Sequence, residues 1–331
     1  MTIRCGGSLD ELDVRILREL LQGQATSPLD PDFRKSFGAI GRKLGVDRDT
    51  VRNRIRRFHT SGFIRGWRTI VNPNLFHGGE CAIWLHVPPT RVEDFLEKAR
   101  LMPGVLMLVR YHGPLICLIF RYYEEGAARK QMELMRKIAG ADRIRAAHIP
   151  FPPCNIALSR SDRSILRALY ADPRRRLTEI AGELGVSTRT VRRKLERLAG
   201  ESAFFAFPAL DPKALQGTVM AQLHVASPVE RRRDAAEKIA ATLEPYLWHV
   251  FFTEPFDRSA VTTCVYNLAV PNVAKGREAL RRAMEAPGVL EARLELCEDF
   301  ETLFDIFDEE MENRFGAPAM TEGPDYLAAG A

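Results

Sequence analysis

Ala39-Ile-Gly-Arg-Lys-Leu-Gly-Val46, followed by Thr50-Val51-Arg52, returns later as Glu179-Ile-Ala-Gly-Glu-Leu-Gly-Val186, followed by Thr190-Val191-Arg192, at an offset of 140 residues. Further on, Asn72-Pro73 is matched by Asp211-Pro212 and Leu85-His86-Val87 by Leu223-His224-Val225, where the offset has slipped only to 138. So little drift over about fifty residues predicts a duplicated unit rather than a chance motif.

Around the quoted stretch the local signals are helical. Leu9-Asp-Glu-Leu-Asp-Val-Arg-Ile-Leu17 opens an amphipathic helix with Leu12, Ile16 and Leu20 on one face, broken by the Pro/Asp-rich segment from Gly23 to Asp32. Ser36 can cap the next helix and Gly45 end it. Asp47 can cap a third helix whose inward stripe is Val51, Ile55 and Phe58. Ser61-Gly62 then turns the chain into Phe63 to Val71, an alternating stretch suited to the strands of a wing. In the second copy Ser161 starts the first helix, Leu177 to Leu184 forms the second, and Ser187 caps a third packed through Val191, Leu195 and Leu198. Each trio reads as a helix-turn-helix.

Charge follows the same division. Hydrophobic content of 46% with 27% charged residues fits a globular chain of several domains, and the net charge is +5. From Arg42 to Arg68 nine basic residues face two acidic ones, and from Arg174 to Arg197 eight face three. From Glu291 to Glu312 ten acidic residues face a single Arg. Basic charge therefore gathers on the two helical units, as a polyanionic partner would require. Six cysteines form no C-x-x-C pair and no zinc-spaced cluster with histidine, so no metal or cofactor is expected and the thiols read as packing residues. With no secretory segment after Met1 and no spanning apolar run, the expected location is the cytoplasm, away from any membrane.

After each helical unit the period changes. Cys81 to Val87 alternates, a helix follows near Val92 to Leu101, then strands Val105 to Tyr111 and Leu115 to Tyr122, a helix Ala128 to Ala139 and a strand Arg143 to Ile149. The second copy gives Val219 to Val225, Arg231 to Leu243, Leu247 to Thr253, Val261 to Ala269, Ala274 to Met284 and Val289 to Cys297. That order is βαββαβ, a ferredoxin-like motif. The expected fold class is α+β, a winged helix-turn-helix followed by a ferredoxin-like domain, twice. The expected domains are 1–76, 77–152, 153–212 and 213–303, with an acidic helix and flexible tail at 304–331. Pro150 to Asn155 reads as the linker between halves. The acidic helix reads as solvated with an apolar edge, or as packing on a partner subunit.

Leu9-Asp-x-x-Asp13-x-x-Ile-Leu17, Leu44-Gly-Val46, Thr50-Val-Arg-x-Arg-Ile55 and Gly62-Phe-Ile-Arg-Gly66 together resemble the Lrp/AsnC family of prokaryotic transcription regulators. The resemblance runs from about Leu9 to Phe300 as two family-length copies, and it is more specific in the first. In the second, Ala199-Gly-Glu-Ser-Ala203 replaces the family's Gly-Ile turn. The segment from Gln22 to Lys35 is longer than the family's. The resemblance implies a DNA-binding regulator whose ferredoxin-like domains dimerise and sense a small-molecule effector. The family's Gly-x-Tyr/Phe-Asp effector turn survives only as Thr253-Glu-Pro-Phe256-Asp257 in the second copy, while the first has Tyr111-His112-Gly113-Pro114 with no Asp; His112, Gly113, Phe256 and Asp257 are the effector candidates.

A recognition helix needs an apolar stripe inward and base- or phosphate-binding groups outward. Arg52 and Asn53 are the base-reading candidates, since Arg pairs bidentately with guanine and Asn with adenine. Arg48, Arg56 and the wing residues Arg65 and Arg68 are the phosphate candidates. In the second copy the corresponding face is Thr188, Arg189, Arg192 and Arg193. Duplex DNA is therefore the expected partner, bound by a homodimer or by an intramolecular pseudo-dimer.

His86 and His224 hold equivalent places on the first strands. Ala82, Trp84 and His86 share one face, as do Met220, Gln222 and His224, while Ile83, Leu85 and Val87 should lie under helices. The siroheme decarboxylases, haem-biosynthesis enzymes that resemble the same family, offer the alternative reading. For them His86, Arg110, His112, His224 and His249 would bind an anionic tetrapyrrole. No catalytic residue is assigned in the preferred reading.

Overall fold

The computed structural model describes residues 7–21, 35–256 and 259–316. The first helical unit is α1 (Glu11–Leu21), α2 (Phe37–Leu44) and α3 (Arg48–Thr60), followed by strand β1 (Ile64–Val71). Next come β2 (Gly79–His86), α4 (Val92–Arg100), β3 (Val105–Tyr111), β4 (Leu115–Tyr122), α5 (Glu125–Ala139) and β5 (Ile144–Ile149). The second helical unit is α6 (Arg160–Ala168), α7 (Leu177–Leu184) and α8 (Thr188–Gly200), followed by β6 (Phe204–Leu210). The chain continues with β7 (Val219–Pro228), α9 (Arg232–Thr242), β8 (Leu247–Phe252), the two-residue β9 (Glu254–Pro255) and β10 (Val261–Val270). It ends in α10 (Val273–Met284), β11 (Glu291–Thr302) and α11 (Asp305–Phe315).

The helical units form where capping and periodicity agree. Ser36 accepts from the Ala39 amide, Gly45 closes α2 at φ +73°, and Asp47 accepts from the Thr50 amide at 2.7 Å to start α3. Gly45 takes the left-handed conformation without a Cβ clash. Val51, Ile55 and Phe58 are buried with Val14, Leu17 and Leu20 of α1, each burial contributing about 1.5–3 kcal/mol. In the second unit Ser159 and Asp162 form a reciprocal capping box that begins α6 one residue ahead of Ser161. Ser187 caps α8, and Val191, Leu195 and Leu198 fill the core with Ile165 and Leu169.

The stretch after Gly62 does not make a wing. It is one eight-residue strand, β1, and its partner is β6 of the other half, antiparallel from Ile64↔Leu210 to Val71↔Phe204. Neither strand contains a two-residue turn on which to fold back, so each finds its hydrogen-bond edge across the molecule.

The remaining strands form a nine-stranded sheet in the order β8-β10-β7-β11-β3-β4-β2-β5-β9. Strand β11 is the splice. Its first half pairs with β7 and its second half, Cys297 to Thr302, pairs with β3. This strand extends five residues past the expected Cys297 because β3 offers an open edge. At the far end β9 pairs with β5 through Ala147↔Pro255 and His148↔Glu254. The sheet folds so that two faces meet: Trp84, Val109, Tyr111 and Cys117 pack with Phe251 and Val265. Ile83, Leu85 and Val87 lie on the other face, against Phe95, Met132 and Met135 of α4 and α5. Leu223 and Val225 do the same with Ile239 of α9 and Ala279 of α10.

Helix α11 is neither solvated nor left for a partner subunit. Phe307, Met311 and Phe315 pack into the second unit's core with Leu166 and Tyr170. Arg121, fully buried, bridges Glu310 of α11 and Glu80 of β2, the latter at 2.7 Å. The expected flexible tail beyond residue 316 lies outside the described residues, as does most of the Gln22 to Lys35 segment. The linker is docked too: Asn72 Nδ2 donates to the Pro152 carbonyl at 2.9 Å and Cys154 is buried. Among the described residues no helix is long and apolar enough to cross a membrane, and no group of three His, Cys, Asp or Glu could hold a metal ion.

Candidate nucleic-acid interface

The basic residues of α3 divide by face. Arg54 and Arg57 turn inward and both reach the fully buried carboxylate of Asp13 on α1, Arg54 at 3.0 Å, while Arg54 also bonds Asp10. Asp10 and Asp13 cap α1 reciprocally through their amides, at 3.0 and 2.9 Å. The outward face carries Arg48, Asn53 and Arg56, all exposed, with Arg52 half-buried and paired to Asp49 at 3.0 Å. On α8 the division repeats. Lys194 and Arg197 reach the buried Asp162 at 3.0 and 2.6 Å, while Arg189, Arg192 and Arg193 are exposed and Thr188 is half-buried.

The two clamps differ electrostatically. Burial raises the Asp162 carboxyl, but hydrogen bonds from Ser159, Lys194 and Arg197 outweigh it and hold its pKa at about 2. At Asp13 burial prevails, aided by the neighbouring Asp10 charge, and the pKa lies above the ordinary carboxylate value. Sequence reading missed both clamps, although an Asp on the first helix and basic residues three apart on the third were there to be read.

Arg65 and Arg68 are not wing residues. Arg65 bonds Asp211 across the β1–β6 ribbon. Arg68 lies over the Phe304 ring at 4.9 Å and the Tyr170 ring at 5.7 Å, and donates to the Trp67 carbonyl. Arg174, before α7, crosses to the first unit, where it lies over Phe37 at 5.2 Å and donates to the Lys35 carbonyl at 2.6 Å. Ribbon and arginine together fix one unit relative to the other.

The effector candidates do not converge. His112 and Gly113 form the exposed β3–β4 turn, where His112 Nδ1 meets Glu298 at 3.0 Å. Phe256 stacks on His148 of β5 with ring centroids 3.5 Å apart. Because β3 and β5 lie three strands apart, with β4 and β2 between them, and Cys81↔His148 lies at the other end of β2 from His86↔Leu115, these groups are separated both across the sheet and along its strands. Asp257 lies outside the described residues.

The histidines disperse as well. His86 is exposed, while His224 is buried edge-on to Trp84, its Nδ1 3.3 Å from an Arg145 nitrogen. Burial, then the nearby Arg145 and Arg293 charges, push His224 down to about 3, and burial pushes His249 down to about 4. Arg110 is paired with Glu93 at 2.7 Å and Glu298 at 3.0 Å. Burial raises the Cys117 and Cys264 thiols to about 12, so neither supplies a nucleophile near neutrality.

The AsnC-type helix-turn-helix domain matches residues 158–199, almost all of α6 to α8, so a recognised match falls on the unit with the greater sequence departures. The HTH-type transcriptional regulator Ptr1 of Methanocaldococcus jannaschii is 37% identical over 106 residues, 32% of this chain and 66% of that protein. An uncharacterized HTH-type transcriptional regulator of Pyrococcus furiosus is 37% identical over 93 residues, 27% of this chain and 55% of that protein. The chain thus spans no more than about two thirds of either relative's length. A solved structure of the siroheme decarboxylase NirDL, with an iron-uroporphyrin III analogue, matches over 92% of this chain and 97% of its own at a TM-score of 0.54. At 14% identity that likeness is one of fold. The match at residues 158–199, the regulator relatives and the clamped α6–α8 trio agree on an AsnC-type helix-turn-helix domain, and on a likeness of this chain to Lrp/AsnC-type transcription regulators.

Proposed function

We propose that the protein is a DNA-binding transcription regulator in which two helix-turn-helix heads and two ferredoxin-like domains form a pseudo-dimer within one chain. The observation that carries this reading is the division of basic residues on α3 and α8, inward to a buried aspartate and outward to solvent, in both units. The outward residues Arg48, Arg52, Asn53, Arg56, Arg189, Arg192 and Arg193 would supply salt-dependent phosphate contacts and base readout. Such a regulator would work in the cytoplasm, and an effector at its ferredoxin-like domains would act by favouring one arrangement of the heads.

The heads are unlike. Equivalent outward positions carry Arg48 and Thr188, Asp49 and Arg189, Asn53 and Arg193, Arg56 and Glu196, and only Arg52 and Arg192 agree. A two-fold operator mirrors identical heads, so this chain should prefer a site with two dissimilar halves. Selection of binders from random duplex DNA tests it. Two different half-sites, about one helical turn or a multiple apart, are expected. A palindrome, or no enrichment, would contradict the reading.

A tetrapyrrole decarboxylase is the second reading, favoured by the full-length likeness in fold to NirDL. Against it stand the buried His224 and half-buried His249, both held neutral, and Arg110 and His112, both engaged by Glu298. An absorbance titration with iron-uroporphyrin III decides. A saturable spectral change lost in His224→Ala would favour the enzyme, and a flat titration would remove it.

A further inference from the structure

Beneath the β1–β6 ribbon lies a cavity of about 160 Å³ that none of the DNA-contact or effector candidates lines. Phe205, Phe207 and Leu210 of β6 roof it, and Val109, Phe251 and Phe300 are among its apolar walls. An apolar cavity of about 150 Å³ in another protein is large enough to hold benzene.

One wall is polar and ordered. Gln222, Asn267 and His249 are lateral neighbours on β7, β10 and β8 and so share a face. Their hydrogen bonds run in a single direction. Tyr111 Oη donates to Gln222 Oε1, Gln222 Nε2 donates to Asn267 Oδ1 at 3.0 Å, and Asn267 Nδ2 donates to His249 Nδ1 at 3.1 Å. With Nδ1 accepting, the neutral ring carries its proton on Nε2. That buried Nε2 finds no hydrogen-bond partner among the described residues. A buried donor left unsatisfied is unfavourable, so the relay ends in a group that an incoming acceptor would stabilise.

Among the described residues no Lys or Arg lines the cavity, and the one carboxylate that does, Glu80, is committed to Arg121 at 2.7 Å. An anion or a zwitterionic amino acid would lose its hydration here with no countercharge. We propose that this cavity binds a small uncharged molecule, one aromatic ring or a short branched chain bearing a single acceptor, which accepts a hydrogen bond from His249 Nε2–H. The site is separate from His112, Gly113 and Phe256 and needs no DNA to be observed.

Isothermal calorimetry on the full chain at neutral pH tests this with acetophenone, toluene and benzoate. Acetophenone should bind at one site, toluene about five-fold more weakly for want of an acceptor, and benzoate not at all. His249→Phe should bring the acetophenone-to-toluene ratio close to one. Val109→Phe, which fills the cavity, should abolish both, with near-ultraviolet circular dichroism checking that each variant is folded. Absence of saturable binding by acetophenone and toluene overturns the proposal. So does benzoate binding more tightly than acetophenone, or a ketone affinity that folded variants leave unchanged.

Discussion

The two helical units solve one packing problem with different chemistry. In the first, the capping pair on α1 is Asp10 and Asp13, two carboxylates that meet Arg54 and Arg57. In the second, the pair is Ser159 and Asp162, a hydroxyl donating to a carboxylate that meets Lys194 and Arg197. The difference teaches that the aspartate at the third helical position is the structural constant. Its neighbour decides how firmly it is held ionised, since a second carboxylate works against the charge and a hydroxyl supports it. The outward faces diverge more freely than the clamps, because solvent-facing positions are constrained by what they bind and not by packing.

Removing the constant should give the largest effect. Asp13→Ala and Asp162→Ala each leave two cations without their buried acceptor, and each should lower unfolding stability by about 2–3 kcal/mol, read from urea midpoints. Equal losses would support one shared design, whereas a loss confined to one unit would break the comparison. Next come the outward faces. Arg52→Ala with Arg56→Ala should weaken DNA binding at least about ten-fold, and Arg192→Ala with Arg193→Ala should do so to a comparable degree but with a different loss of half-site preference.

The acid range sharpens the comparison further. Asp162 has a depressed folded pKa of about 2 against an ordinary 3.8, so its stabilisation is complete above 3.8 and is lost as pH falls toward 2. Asp13 is raised, so its ionisation adds no stability of that sign. The slope of stability against pH between 4 and 2 should therefore flatten in Asp162→Asn and not in Asp13→Asn. The smallest effect is expected from Arg174→Ala, which loses a contact over Phe37 between the units and should cost about 1 kcal/mol. It should also weaken binding to a two-half site while leaving binding to an isolated half-site unchanged.

Local features were legible in the sequence and long-range ones were not. Ser36, Gly45, Asp47 and Ser187 announced helix ends because a cap acts within three residues. Trp84 and Ile83 announced their opposite faces because alternation fixes faces. Alternation does not name a partner strand, so the β1–β6 pairing and the β11–β3 splice had no signal. The acids of β11 and α11 suggested a solvated helix because Arg121, which neutralises Glu310, lies 189 residues away. On α3 and α8 the outward position of the arginines was legible from helical period. The wing expected around Arg65 and Arg68 did not form, and their partners Asp211 and Phe304 are brought to them only by the fold.

The most direct test of the account is fluorescence anisotropy of the full chain on genomic-fragment DNA across a salt series. It would be run on the parent protein, the Arg52→Ala/Arg56→Ala variant and the Arg192→Ala/Arg193→Ala variant. Two working heads predict competitor-resistant binding that is steep in salt, with the salt slope reduced by about one per lost phosphate contact in each variant. Binding that is absent in the parent, or unchanged in both variants, would contradict the assignment of α3 and α8 as reading heads.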